Sequence, residues 1–243
     1  GIEDHQEFVD MVAKRVEQLQ FNPNKKLSRE PAKYKGGELR IPTEDDMITI
    51  MLGFESVNWK HADMTAFNVL NTIVGTSSSF STGGPGKGMW ARATKRMMNK
   101  YQFVDAANSI NLHFSDTGIY GLSISGPAED ARSILQMIIG ELKDLVNPIA
   151  TEELNRAKNI LKSQILMALE RQQDRLEEAA KNLKTFDRFR ILNYTETVDQ
   201  VTAEDINRIV AKMLNSKPVL VAQGGQALSL PSFDKVQNLL RIQ

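Results

Sequence analysis

The stretch Ser77-Ser-Ser-Phe-Ser-Thr-Gly-Gly-Pro-Gly-Lys-Gly-Met-Trp90 concentrates the residue types best suited to touching a ligand. Gly83, Gly84, Gly86 and Gly88 open backbone conformations with positive φ that other residues avoid. Phe80 alone offers an apolar anchor ahead of Met89, so residues 77–88 read as a mobile loop. Phosphate binding is the first chemistry to test, and the residues do not fit it. A Walker loop needs Gly-x-x-x-x-Gly-Lys-Ser/Thr after a strand. Here Ser81 stands at the first glycine, Gly88 follows Lys87, and a helical pattern precedes. A dinucleotide fingerprint fails at Met89. A substrate-contacting loop and a disordered connector both remain open, since long loops between packed elements are usually functional or disordered.

Metal and nucleophile chemistry find no motif. A zinc peptidase of the His-x-x-Glu-His type sets two imidazoles on one helix face, with the glutamate activating water. His5, His61 and His113 are widely separated, and Glu-His occurs nowhere. His5-Gln-Glu7 matches a deaminase fragment, but that chemistry also needs cysteine ligands, and the chain has no cysteine. No Gly-x-Ser-x-Gly elbow is present. Each histidine reads as a surface or packing residue, and no catalytic or metal-binding residue is assigned.

The 243 residues carry 30 basic and 30 acidic side chains, which gives no basic surface excess for nucleic acid. The absence of cysteine excludes disulfides and thiolate metal sites. No run approaches the ~18 apolar residues of a membrane span. The first residues, Gly-Ile-Glu-Asp-His, resemble no targeting peptide.

The surrounding elements follow from periodicity. Phe8, Val12, Val16 and Leu19 mark an amphipathic helix over 4–19. Residues 20–37 combine Pro23, Pro31, Gly36 and Gly37 with five basic residues against Glu30, a linker composition. Ile48, Ile50, Leu52 and Phe54 alternate as a strand, and Ile110, Leu112 and Phe114 do the same. Ser115-Asp-Thr-Gly118 supplies a turn, and Tyr120, Leu122 and Ile124 return as the second arm. Met64, Phe67, Leu70 and Ile73 predict a helix before the glycines; Trp90, Ala93 and Met97 predict one after them. Ala131, Ile134, Ile138, Leu142 and Leu145 form the stripe of a helix opened near Pro127. Thr151 offers an N-cap, and the helical pattern runs, with room for a break, to about Phe186. Thr202 with Asp205 suggests a capping box. Val219 to Ala222 is a short strand, and Pro231 opens a last helix carrying Val236, Leu239 and Leu240. This pattern predicts an α+β fold, helices packed on a mainly antiparallel sheet.

Gly-Gly-Pro-Gly-Lys-Gly-Met with its upstream Ser-Phe-Ser resembles the glycine-rich loop of the alpha subunits of mitochondrial processing peptidases. These belong, with the core proteins of respiratory complex III, to the pitrilysin-type inverzincin family. Softer matches continue in Gly36-Gly-Glu-Leu-Arg-Ile-Pro42, Asn68-Val-Leu-Asn71, Ser115-Asp-Thr-Gly118, Glu153-Leu-Asn-Arg-Ala-Lys158, Val201-Thr-Ala-Glu-Asp-Ile206 and Lys217-Pro218. Ala91-Arg-Ala-Thr-Lys95 departs from the family's Ser-Arg-Leu-Tyr pattern. The resemblance covers about the C-terminal half of such a subunit. It implies that residues 1–19 are the last helix of an N-terminal domain, 20–37 a linker, and 38–243 a C-terminal pitrilysin-like domain.

Several functional expectations come with the resemblance. The zinc would sit in a beta partner, core protein 1 in the complex III setting, and this chain would hold no cofactor. Other partners would be the N-terminal half, further complex III subunits and presequence peptides. The location would be the mitochondrial matrix or the matrix face of the inner membrane. Substrate contacts would come from Gly83, Gly84, Pro85, Gly86, Lys87 and Gly88, and from the acids Glu153, Glu177 and Glu178. Presequences are arginine-rich and poor in acid, and a guanidinium pairs with carboxylates through a bidentate fork. A plainer reading makes these glutamates solvated helix residues with Arg156 or Lys181 as intrahelical partners. On one straight helix Glu153 and Glu177 would stand ~36 Å apart, so one peptide reaches both only if it is extended or the helix is broken. The alternative function is a structural core subunit of complex III without peptidase role.

Overall fold

A computed structural model describes residues 2–19, 29–79, 89–186 and 191–241, with backbone only for 191–193. The glycine-rich stretch 80–88 and linker residues 20–28 lie outside the described residues. Residues 1–32 and 33–243 form separate compact units. In the first, helix α1 (His5–Glu17) starts where Asp4 Oδ1 accepts the backbone N–H groups of Gln6 and Glu7 at 2.7 and 3.2 Å. This cap satisfies donors that the first turn leaves orphaned. The apolar face of Phe8, Val12 and Val16 is exposed within this unit.

The second unit is built on a six-stranded sheet of order β1-β6-β2-β5-β4-β3. Its strands are β1 (Gly37–Pro42), β2 (Met47–Glu55), β3 (Thr76–Ser78), β4 (Ala106–His113), β5 (Gly118–Pro127) and β6 (Val219–Gly224). β1 and β6 are parallel; every other pairing is antiparallel. The helices are α2 (Met64–Val74), α3 (Ala131–Asp144), α4 (Thr151–Glu170), α5 (Gln172–Phe186), α6 (Ile191–Gln200), α7 (Ala203–Leu214) and α8 (Phe233–Leu240). The α+β expectation therefore stands, with one parallel pair added where the first strand meets the last. Arg40 fastens that edge by donating to the carbonyls of Leu230 and Pro231 at 2.9 and 2.6 Å.

Register sets which side of the sheet is core. Ile50, Leu52 and Phe54 stand opposite Ile124, Leu122 and Tyr120, and none is more than 1% exposed. On β4 the same face carries Ala107, Ser109 and Asn111. Ile110 and Leu112 share a side as their alternation predicts, but it is the outer one; Leu112 is exposed, and exposed Phe114 falls in the turn. The cause is the closeness of α2. Ser109 Oγ donates to the Gly75 carbonyl at 2.9 Å, and Asn111 Nδ2 to Asn68 Oδ1 at 2.9 Å. Short polar side chains pair there where long apolar ones have no room.

Two helix boundaries differ from expectation. Ala150 occupies the N-cap of α4 and Thr151 is already helical; burial of Ile149 and Leu154 sets this entry. Glu152 and Glu153 still lie in the first turn, where the helix dipole favours acid. The helix predicted after the glycines is a π-turn over Ala93–Met98, with Asn99 N–H bonded to the Thr94 carbonyl at 2.9 Å. It buries Ala93, Thr94 and Met97. At Thr202 the suggested capping box is complete: Thr202 Oγ1 accepts from Asp205 N–H at 3.1 Å, and Asp205 Oδ2 accepts from Thr202 N–H at 3.0 Å.

Candidate functional site

The two stems of the glycine-rich stretch meet at Gly75. Its φ of +70° lies in the left-handed region, and a Cβ there would stand 2.4 Å from the Cβ of Ala91. Gly75 and Ala91 are therefore small for the same reason, a backbone crossing. On the entry side β3 pairs with β4, Ser77 opposite Ala107, and Ser79 N–H reaches the Asp105 carbonyl at 2.7 Å. On the exit side the chain passes Trp90 and Ala91 into Arg92 and the π-turn, a geometry that recurs at functional sites.

Arg92 is the hub of the exit stem. It is 4% exposed. Its Nε and Nη2 donate to Glu153 Oε1 and Oε2, each at 2.9 Å, and Nη1 lies 3.5 Å from Asp144 Oδ2. Arg96 also pairs with Asp144 and stands 3.7 Å from Glu141 Oε2. These hydrogen bonds from Arg92 hold the Glu153 carboxyl below the usual carboxylate range against the opposing cost of its burial. For Glu141 burial dominates and pushes the carboxyl up, although Arg96 and Arg92 pull the other way.

A groove of about 510 Å³ opens beside this hub, between the end of α2, the exit stem and α4. Apolar lining comes from Ile73, Ala157, Ile160, Met167 and Ala168. Half-exposed Trp90 forms part of its wall, with Lys95 Nζ 4.2 Å and Arg156 Cζ 4.6 Å from the ring centroid. The charged lining residues are Glu153, Arg156 and Arg171. Glu153 is bound to Arg92, Arg156 donates to Glu152 at 2.6 Å, and Arg171 pairs with Asp174 at 2.6 Å. Asn71, Thr72, Thr76 and Gln164 add polar lining, so among the described residues the groove presents mixed apolar and polar surface and no carboxylate without a cationic partner.

The three predicted acids are not brought together in this groove. Glu153 lines it, with Arg92 and not Arg156 as its partner. Glu177 and Glu178 lie on α5 and do not line it. Glu177 is exposed and accepts a weak intrahelical bond from Gln173 at 3.3 Å. Glu178 accepts from buried Asn182 at 2.8 Å. Its charge also reaches Tyr194, whose hydroxyl is pushed up first by burial, with Glu178 adding to the rise; Asn68 bonds that hydroxyl. The helix does break: Arg171, at φ −78° and ψ 127°, separates α4 from α5, so the straight-helix separation of Glu153 and Glu177 does not apply.

Gly83, Gly84, Pro85, Gly86, Lys87 and Gly88 lie outside the described residues. Sequence reasoning missed Arg92, Asp144 and the cation contacts of Trp90. The one available signal was the basic run after the glycines, which carries no information on its partners 52 and 61 residues away. Of the histidines, His113 is the most enclosed: Nδ1 contacts the Val57 carbonyl at 2.7 Å, and burial lowers its pKa. Among the described residues, no three His, Cys, Asp or Glu side chains are grouped to hold a metal.

A family model described as the peptidase M16 inactive domain matches residues 1–161, and the chain belongs to the peptidase M16 family. Among its curated relatives are mitochondrial-processing peptidase alpha subunits. That of Caenorhabditis elegans is 32% identical over 241 residues, covering 90% of this chain and 47% of the relative. That of Solanum tuberosum is 32% identical over 247 residues, covering 99% and 48%; that of Homo sapiens is 32% identical over 216 residues, covering 88% and 40%. The chain spans about half the length of these relatives. A chain of the solved complex III2 from Candida albicans, with Inz-5 bound, shares the fold at a TM-score of 0.83 and 18% identity, over 98% of this chain and 57% of that one.

Proposed function

We propose that this chain is the substrate-recruiting, non-catalytic part of a mitochondrial presequence-processing assembly. A separate beta-type subunit of the same family holds the zinc and cuts. The observation that carries this is the similarity to processing-peptidase alpha subunits over nearly the whole chain, in a sequence without His-x-x-Glu-His. The work takes place in the mitochondrial matrix or at the matrix face of the inner membrane. Gly83, Gly84, Pro85, Gly86, Lys87 and Gly88 would supply further contacts to the peptide.

The site suggests a division of labour for an amphipathic, arginine-rich peptide. Its apolar side would lie against Ile160, Met167 and Trp90 in the groove. Its arginines would meet Glu177 and Glu178 on α5, whose carboxylates, among the described residues, accept intrahelical hydrogen bonds from Gln173 at 3.3 Å and Asn182 at 2.8 Å and pair with no cation. The test is equilibrium binding to the native assembly of a presequence peptide and its twin with citrulline at every arginine. Replacing Glu177 and Glu178 together by Gln should weaken the arginine peptide several-fold and leave the citrulline peptide unchanged. The loss should shrink with salt, because exposed charges are screened over ~8 Å at physiological ionic strength. Equal losses for both peptides would contradict the assignment of α5.

The alternative is a structural core subunit of complex III without peptidase role. Native composition separates the two. A soluble assembly that cleaves presequences supports the peptidase, whereas co-migration with cytochromes b and c without cleavage supports the core-subunit reading.

A further inference from the structure

We propose that Glu153 acts on the groove through Arg92, as the anchor of the Trp90–Met98 wall, and that it is a positioning residue and not a carboxylate that reads peptide charge. Both Glu153 oxygens are engaged by one guanidinium in fork-to-fork geometry at 2.9 Å. That guanidinium is almost wholly buried, so a peptide arginine could take Glu153 only by stripping Arg92 of its bidentate partner and leaving it the longer contact to Asp144 at 3.5 Å, an unfavourable exchange for a buried cation. Trp90 and Ala91, the residues just before Arg92, line the same groove as Glu153. The π-turn after Arg92 is fixed through Arg96 to Asp144 of α3. Glu153 of α4 and Asp144 of α3 therefore hold one short segment from two helices, and the shape of the groove wall depends on that grip. The binding half of this proposal rests on the presequence-recruitment reading; the exchange half does not.

Hydrogen exchange of the full chain tests the grip directly. The variants are Glu153→Gln, Arg92→Lys, the double variant, and Glu177→Gln as a control on α5. Arg92→Lys keeps the cation and loses the fork, so it separates geometry from charge. Each of the first two should speed exchange over residues 90–98 by roughly tenfold relative to the sheet, and the double variant no more than either, as expected for one coupled pair. Glu177→Gln should leave that segment unchanged. Should Arg92→Lys not fold, Glu153→Asp, which shortens the reach but keeps the charge, supplies the same contrast. In the native assembly, Glu153→Gln should weaken the arginine presequence peptide and its citrulline twin by the same factor, and Arg92→Lys should reproduce it. Unchanged exchange over 90–98 in these variants overturns the proposal. So does a binding loss in Glu153→Gln confined to the arginine peptide with Arg92→Lys behaving as wild type. If wild-type protein does not prefer the arginine peptide, the recruitment reading falls while the exchange result still decides the role of Glu153.

Discussion

Glu153 and Glu141 both lie within the field of Arg92 and Arg96, yet their carboxyls are displaced in opposite directions. Glu153 is lowered because Arg92 bonds its charged form. Its contribution to stability is complete above the unfolded value of ~4.3 and is lost as pH falls through the lower folded value. Glu141 is raised because burial outweighs its arginines, and its Oε2 makes no hydrogen bond. A raised carboxyl favours the fold while protonated, and that advantage disappears as pH rises through the folded value. At neutral pH, then, the ionised Glu141 carboxylate gives the fold less than its protonated form would. Glu141→Gln should raise the melting temperature at pH 7 and give no gain near pH 4. A lower melting point at pH 7 would show that Arg96 needs this charge. Glu153→Gln should instead destabilise at pH 7 and flatten the acid limb of the stability curve. Of this network only Glu153 was legible beforehand, as one of the acids the family resemblance singles out. Helix spacing nominates neighbours such as Arg156, whereas the actual partner comes from a crossing that only the fold creates.

At the level of elements, the crossing of the two stems makes the sharpest demand. Gly75→Ala adds a Cβ both in the left-handed region and 2.4 Å from Ala91. It should cost about 1–3 kcal/mol, measured by denaturant unfolding. Pairing it with Ala91→Gly should recover the steric part but not the backbone part; full recovery would mean that the φ angle costs nothing. Thr202→Ala removes the acceptor of the α7 capping box and should cost about 0.5–2 kcal/mol, with Asp205→Ala giving a loss that overlaps it. Strands β2 and β5 and helices α2 and α3 could be read from apolar spacing because each buries a regular face; β6 was read as a short apolar run and α7 from its capping box. β4 misled because its regular apolar residues face outward while Ser109 and Asn111 do the packing. The π-turn was illegible for a related reason: Trp90, Ala93 and Met97 satisfy helical spacing, and the extra residue in the turn leaves no mark on that spacing.

For the molecule as a whole, the sheet and its helices place a groove with an apolar strip of Ile160 and Met167 beside the anchored exit stem. A break in the helix at Arg171 puts Glu177 and Glu178 on a separate helix, α5. That arrangement suits a ligand with two chemically different sides, as the proposed presequence would have. Under the proposed function, the residues of this chain would bind the peptide and a zinc-bearing partner would cut it. Photo-crosslinking within the native assembly tests this most directly, using a presequence peptide with a reactive group on its apolar side. Crosslinks should map to this chain, at Trp90 and along Ile160 to Met167, and should be displaced by unlabelled peptide. Competed crosslinks confined to the partner subunit, with none on this chain, would contradict the account.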